Sequence, residues 1–167
     1  MLANTLTISR IVLSVALLLP DAFSLPFFLI YALAGLTDML DGFVARKTGA
    51  ESELGAKLDS IADLVLTITC LVKVLPAIDV PTWLWVWAAL IILVKAANVM
   101  SSLVIERRLV LPHTIANKAA GLAAFLVPFA IPVLGITSPA IVACVVATFA
   151  AVQEGHLIRT RTTGPTA

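Results

Sequence analysis

The chain has few charged residues. Only 13% of its 167 residues are Asp, Glu, Lys or Arg, whereas 60% are hydrophobic, and its mean hydropathy is +1.07. A typical soluble domain has about 25% charged and about 45–50% apolar residues. This small number of polar residues cannot shield the apolar side chains from water. The composition therefore predicts a single domain that is solvated largely by lipid.

The chain also lacks a basic excess, and it contains only two cysteines. The net charge of +1 argues against nucleic-acid binding, which needs a strongly positive surface. Cys70 and Cys144 lie within apolar runs, where we expect them to pack as small buried residues rather than to form a disulfide or a metal site. The first apolar stretch lacks the basic start and small-residue cleavage site of a signal peptide, so we expect it to be retained as a helix.

Six apolar segments approach the roughly 20 residues that a membrane-spanning helix needs. They are separated by Pro, Gly and Asp residues and cover 4–21, 25–47, 54–76, 82–106, 113–134 and 138–159. They predict an all-α integral membrane protein with six transmembrane helices in residues 1–160, and a disordered tail over 161–167. Pro128 and Pro132 are expected to kink the fifth helix.

The basic residues indicate the orientation of these helices. Connections near residues 22–25, 77–81 and 135–138 contain no Lys or Arg, while Lys73 is an exception at the outer end of the third helix. The opposite side carries Arg46, Lys47, Arg107, Arg108, Arg159 and Arg161. Because basic residues concentrate on the cytoplasmic side, both termini are predicted to lie there, in a multi-pass protein of the cell membrane.

Four aspartates lie inside the predicted second and third helices: Asp38, Asp41, Asp59 and Asp63. An ionised group in a membrane span costs about 2.5–3.5 kcal/mol on insertion scales and usually marks a functional site. Spacings of three and four residues place each pair on one helix face. The helical rise puts Asp38 and Asp63 about 20 Å and about 18 Å from the outer ends of their helices, so antiparallel neighbours would bring the carboxylates together near the cytoplasmic leaflet.

Such a group of carboxylates predicts a site for hard divalent cations. Like charges repel unless cations neutralise them, and oxygen ligands suit Mg²⁺, Mn²⁺ or Ca²⁺. Zinc is disfavoured because no Cys or His lies nearby in the sequence. The alternative interpretation is ordinary helix-end carboxylates paired with Arg46 and Lys57, but the convergent spacing of all four aspartates favours the metal site.

The complete pattern is Asp38-x2-Asp41-Gly42-x2-Ala45-Arg46-x8-Gly55-x3-Asp59-x3-Asp63. It resembles the signature of the CDP-alcohol phosphotransferase family at all eight fixed positions. The preceding Asn4-x-Leu6-Thr7-x2-Arg10 resembles an N-terminal segment of bacterial members. From the residues alone, Thr7 and Arg10 are equally compatible with a helix cap and an interfacial anchor.

The resemblance implies metal-dependent transfer of a phosphatidyl group from CDP-diacylglycerol to a hydroxyl acceptor, with release of CMP, in phospholipid biosynthesis. It implies that two Mg²⁺ or Mn²⁺ ions are held by the four aspartates and that Asp63 is also the general base. The cytidine nucleotide site would be lined by Thr7, Gly42, Ala45, Arg46 and Gly55. Similar members are six-helix homodimers whose active site opens to the cytoplasm and to lipid.

The acceptor is less well specified by the sequence. Arg107, Arg108 and Lys118 would suit a phosphorylated acceptor, or they are simply topogenic charges. Chain size favours glycerol 3-phosphate, whereas the end of the motif, residues 59–64, lacks the usual Asp-Pro-x-Ala-Asp-Lys and looks more like serine-using members. Inositol phosphate follows, and then CDP-choline or CDP-ethanolamine transfer to diacylglycerol.

Another class of function, a cation-coupled transporter, would also place carboxylates inside helices. It would favour a site at the midplane and repeated halves, and the sequence shows neither. Lys95, Asn98 and Ser102 are further polar residues, spaced to share one face of the fourth helix.

Overall fold

The structure is a computed structural model that describes residues 2–48, 53–106 and 114–162, with side-chain environments for 7–39, 55, 58–104 and 114–160. Its regular structure in these ranges is entirely helical. The helices are α1 (Leu2–Ala16), α2 (Leu25–Thr48), α3 (Glu53–Val74), α4 (Thr82–Glu106), α5 (Ile115–Leu134) and α6 (Thr137–Thr162), with a 3₁₀ turn over Leu75–Ala77. The predicted all-α class and six-helix order are confirmed.

Two predicted boundaries differ from the structure by more than two residues. Helix α1 ends at Ala16 rather than at residue 21, because the chain tightens before Pro20: the Leu18 and Leu19 amides donate to carbonyls only three residues back. Helix α6 continues to Thr162, two residues into the predicted tail 161–167. Residues 163–167 lie outside the described residues.

Three helical stretches among the described residues are long and apolar enough to cross a membrane. They are Thr82–Val104, Ile115–Leu134 and Thr137–Thr160, while Thr7–Ala16 and Leu25–Met39 are shorter apolar helices. Large apolar side chains of α4 point outward; Ile92 and Leu93 are 68% and 66% exposed. Side chains of this kind are stable on a helix surface when the surrounding solvent is lipid, so the structure favours a membrane protein.

The chain divides into two compact units, and the first comprises Met1–Asp79. Within it, α1 packs against both α2 and α3. The buried face of α1 consists of Thr7, Arg10 and Ser14, and Leu17, directly after the helix, continues it; the four residues recur at the helical spacing of three and four residues. Three of these four residues are polar, so α1 presents a polar stripe to the other two helices.

The turn into α2 is fixed by local hydrogen bonds. The Ser24 hydroxyl accepts a hydrogen bond from the Phe27 amide and donates one to the Asp21 carbonyl at 2.6 Å. This is the usual role of serine at a helix N-terminus. Phe23, at φ 63°, turns the chain immediately before it.

The second unit comprises Val80–Ala167, and within it α6 packs against both α4 and α5. Thr114 caps α5 by accepting a hydrogen bond from the Asn117 amide at 3.1 Å. Helix α5 continues through Pro128 and Pro132 and ends at Gly135, whose φ of 68° is unfavourable for other residues. The kink predicted at the two prolines stays a prediction.

Candidate metal centre and active site

The side chain of Arg10 lies at the centre of a group of three carboxylates in the first unit. Its Nη1 atom is 2.9 Å from Asp38 Oδ1, 2.8 Å from Asp59 Oδ1 and 2.7 Å from Asp63 Oδ1. The Arg10 side chain is fully buried, whereas the aspartate side chains are 47%, 43% and 54% exposed. The three carboxylates therefore share the Arg10 cation on their buried side, and their other side is exposed.

The geometry follows from the helix packing. Asp59 and Asp63 are four residues apart on α3, so they lie on one face, and Asp38 comes from the C-terminal half of α2. Arg10 belongs to the buried stripe of α1, the helix that packs against both of the others. Its guanidinium is consequently directed between the two acidic helices.

One nitrogen atom of Arg10 contacts all three carboxylates. Arg10 Nη1 donates to Asp59 and to Asp63, and a guanidinium Nη carries two hydrogens. Asp38 Oδ1 lies 2.9 Å from the same nitrogen and forms an ion pair with it. Ser14 supports the turn of α1 below this point, because its hydroxyl donates to the Arg10 carbonyl at 2.7 Å.

The donor set fits a divalent metal. One carboxylate oxygen from each of Asp38, Asp59 and Asp63 can be chosen so that all three lie within 4.8 Å of one another. Oxygen ligands lie about 2.0–2.1 Å from Mg²⁺ and about 2.3–2.6 Å from Ca²⁺, so two ligands on opposite sides of an ion are about 4–5 Å apart. The spacing and the hard oxygen chemistry both suit the ions that the sequence predicts.

The remaining predicted site residues are described less completely. Asp41, Gly42, Ala45 and Arg46 belong to α2, but their side chains lie outside the described residues, so their predicted roles stay predictions. Gly55 is in the first turn of α3 and half-buried. Thr7 is buried, one turn before Arg10 on the same face of α1.

Of the three predicted acceptor-binding residues, only Lys118 belongs to the described part of the chain. Lys118 lies exposed in the first turn of α5. Arg107 and Arg108 lie outside the described residues. A phosphate-binding role for these three residues therefore stays a prediction.

The sequence interpretation missed the position of Arg10. It treated this residue as part of a weak N-terminal match, with an interfacial anchor as the alternative. The available signal was the recurrence of polar residues at positions 7, 10 and 14, in a stretch whose other residues from Ile8 to Ala16 are apolar except for Ser9. Such a stripe indicates a polar partner, because lipid offers none.

A second group of polar side chains lies in the second unit. Lys95 Nζ is 3.4 Å from Glu154 Oε2 and donates to Asn117 Oδ1 at 3.1 Å, while Asn117 Nδ2 donates to Glu154 Oε2 at 3.1 Å. Asn98 Nδ2 donates to the Ala151 carbonyl at 2.7 Å. Glu154 and Asn98 are buried. These contacts connect α4, α5 and α6 to one another.

Comparison with known proteins identifies relatives over much of the chain. A "CDP-diacylglycerol--glycerol-3-phosphate 3-phosphatidyltransferase" of Haemophilus influenzae is 36% identical over 104 residues, 59% of this chain and 54% of that protein. A "Probable phosphatidylglycerophosphate synthase" of Mycobacterium tuberculosis is 34% identical over 162 residues, 90% of this chain and 74% of that protein. A "CDP-diacylglycerol--serine O-phosphatidyltransferase" of Methanocaldococcus jannaschii is 44% identical over 64 residues, 38% and 29% of the two chains.

The extent of these matches differs. The chain spans about half the length of the Haemophilus protein and less than a third of the Methanocaldococcus protein. No solved structure matches it. A sequence model of CDP-alcohol phosphatidyltransferases matches residues 1–156, which include all three helices of the acidic cluster. The chain belongs to the CDP-alcohol phosphatidyltransferase family.

Proposed function

We propose that this protein transfers a phosphatidyl group from CDP-diacylglycerol to a small hydroxyl acceptor and releases CMP, as a step of phospholipid biosynthesis. The observation that carries the proposal is the cluster of Asp38, Asp59 and Asp63 around Arg10. Three carboxylates held this close on one face suit a metal that binds a diphosphate. The family match over residues 1–156 supports the same reaction.

In this proposal Asp38, Asp41, Asp59 and Asp63 hold two Mg²⁺ or Mn²⁺ ions. When bound, these ions neutralise the charge of the donor diphosphate and of the departing CMP. The half-exposed carboxylates support this role, because a bound diphosphate must reach them from the open side. Positioning and charge neutralisation account for most of the catalysis in such transfers.

Asp63 is proposed to be the general base. The acceptor oxygen attacks the phosphorus that carries diacylglycerol, the bond from that phosphorus to the CMP oxygen breaks, and the acceptor proton passes to the Asp63 carboxylate. Asp63 has the most exposed side chain of the three carboxylates, at 54%, which supports contact with an acceptor. Thr7, Gly42, Ala45, Arg46 and Gly55 are proposed to line the cytidine site.

Glycerol 3-phosphate is the proposed acceptor. The names of the Haemophilus and Mycobacterium relatives support it, and the latter match covers 90% of this chain. Arg107, Arg108 and Lys118 would bind its phosphate. Serine is the second candidate, supported by residues 59–64 and by the shorter match to the Methanocaldococcus protein.

The proposed setting is a homodimer in the cell membrane with six transmembrane helices per chain. Both termini and the active site would face the cytoplasm. The three long apolar helices and the distribution of Lys and Arg support this topology. A donor with a lipid tail and a soluble nucleotide head also needs a site near the membrane surface.

The test is CMP release by the purified protein in detergent, with CDP-diacylglycerol and Mg²⁺. Glycerol 3-phosphate, serine and inositol phosphate are supplied separately, and a reaction without acceptor measures hydrolysis. Release above this blank with glycerol 3-phosphate alone is expected. Release only with serine would replace the acceptor assignment, and no release from folded protein with any acceptor would refute the proposed reaction.

A further inference from the structure

We propose that Arg10 is a built-in counter-cation of the acidic cluster, which competes with a divalent metal for the same carboxylates. Without metal, the guanidinium neutralises and gathers Asp38, Asp59 and Asp63. Metal binding displaces it from the carboxylate oxygens that the metal takes. The inference rests on the proposed function only in requiring that these carboxylates bind a divalent cation.

Arg10 and a metal held by the same carboxylates would occupy overlapping positions. A single nitrogen, Arg10 Nη1, lies within 2.7–2.9 Å of one oxygen from each of the three carboxylates. A metal bound by the same three residues must also lie within contact of their oxygens, which can all be within 4.8 Å of one another. The guanidinium and the metal then compete for the same carboxylate oxygens, and their positive charges repel each other.

Arg10 is deeply buried. Its side chain is fully buried, and the other buried residues of the helices that α1 packs against include Ala34 and Ala62. A buried charge is stable only when it is paired and hydrogen-bonded. Arginine also cannot escape the cost by losing its proton, because its pKa is too high. Arg10 therefore depends on the carboxylates, and the carboxylates depend on Arg10 whenever no metal is bound.

The acidic cluster is exposed on one side only. Asp38, Asp59 and Asp63 are each about half exposed on the side away from the buried arginine. A metal can approach from that side without unfolding any helix. The guanidinium is tethered by a long side chain with several rotatable bonds, so it can move away from the oxygens that the metal takes while it stays beside the carboxylates and α1 stays in place. Arg10 is thus a positioning residue, which sets the affinity of the cluster for metal.

The experiment measures Mn²⁺ binding to the full chain in detergent after chelation and dialysis, by calorimetry or by electron paramagnetic resonance. Arg10→Met removes the charge and keeps an unbranched apolar side chain, whereas Arg10→Lys keeps a positive charge. Lys95→Met is the matched control, because it removes the cation of a different ion pair, with Glu154. Thermal unfolding of each variant is measured in EDTA and in Mn²⁺.

Arg10→Met is expected to bind Mn²⁺ about tenfold more tightly than wild type, since a competitor worth about 1.4 kcal/mol is gone. Its melting temperature should fall in EDTA and recover in Mn²⁺, which replaces the missing positive charge. Arg10→Lys should bind Mn²⁺ with an affinity between those of wild type and Arg10→Met. Lys95→Met should bind Mn²⁺ with wild-type affinity. Its melting temperature should differ from that of wild type by the same amount in EDTA and in Mn²⁺.

Equal or weaker Mn²⁺ binding by Arg10→Met would overturn the inference, because it would make Arg10 neutral or helpful to the metal. Failure of Arg10→Met to fold even in Mn²⁺ would overturn it too, since a metal that can replace the guanidinium must restore the fold. Absence of Mn²⁺ binding by folded wild-type protein would instead refute the metal site itself, and with it the proposed function.

Discussion

The substitution Asp63→Asn separates the chemical role of this carboxylate from its structural role. Asparagine has nearly the same volume and keeps an oxygen where Asp63 Oδ1 accepts a hydrogen bond from Arg10 Nη1 at 2.7 Å. It removes one negative charge and the ability to accept a proton at neutral pH. The fold should therefore survive, while the proposed proton transfer should not.

The expected magnitudes differ widely. A positioned general base contributes about 10²–10⁴-fold to rate, which corresponds to about 3–5 kcal/mol in the activation barrier. The structural loss is smaller, because the Asp63 side chain is 54% exposed and shares Arg10 with two other carboxylates. Asparagine can keep the hydrogen bond from Arg10, and two carboxylates still pair with the buried guanidinium. Activity should thus fall at least about a hundredfold with little change in melting temperature.

The assay is CMP release at saturating CDP-diacylglycerol, together with thermal unfolding in the same detergent and the binding of CDP-diacylglycerol at fixed Mg²⁺. Asp79→Asn is the matched control: it makes the same chemical change at an exposed position beyond the far end of α3. This control should keep wild-type activity and stability.

Two results would refute the reasoning. Activity of Asp63→Asn within tenfold of wild type would mean that another group accepts the proton. A loss of activity that merely follows a loss of folded protein would make Asp63 a structural carboxylate paired with Arg10.

Three further predictions concern the metal and the second unit. Removal of divalent ions with EDTA should abolish CMP release, and Mg²⁺ or Mn²⁺ should restore it; activity that persists in EDTA would contradict the metal site. Glu154→Leu should lower the free energy of unfolding by about 1–3 kcal/mol, because it removes the oxygen that accepts hydrogen bonds from both Lys95 and Asn117. Glu154→Gln should lose less, and thermal unfolding of both variants tests this. Gly155→Ala should destabilise by about 1–3 kcal/mol, since an added Cβ would lie 2.6 Å from Asn98 Oδ1; the double variant with Asn98→Ala should lose less than the sum of the single changes.

The spacing of the aspartates was enough to predict their convergence on one region of the fold. Asp59 and Asp63 share a face because an α-helix repeats every 3.6 residues, and Asp38 meets them in the structure. The roles in binding and catalysis that the resemblance gives to these residues stay predictions. Local periodicity specifies which face a residue occupies, and that part of the candidate site could be read from the sequence.

The pairing of Arg10 with the aspartate cluster could not be predicted from local periodicity. Arg10 lies 49 and 53 residues from Asp59 and Asp63 along the chain, and the packing of α1 between two helices brings them together. The polar stripe at positions 7, 10 and 14 indicates that α1 has a polar partner, but it does not specify which residues that partner provides. The early end of α1 was equally hidden, because Leu17, Leu18 and Leu19 are as apolar as the helix before them.

The polar contacts of the second unit have a consequence for the order in which the chain is assembled in the membrane. Lys95 lies on α4, but its anionic partner Glu154 lies on α6, 59 residues later. A charged residue in a membrane span costs about 2.5–3.5 kcal/mol until it is neutralised or solvated. In the proposed transmembrane topology, Lys95 therefore gains its hydrogen-bond acceptor Asn117 with α5 and its anion only with α6, so we expect α4, α5 and α6 to reach their final packing together.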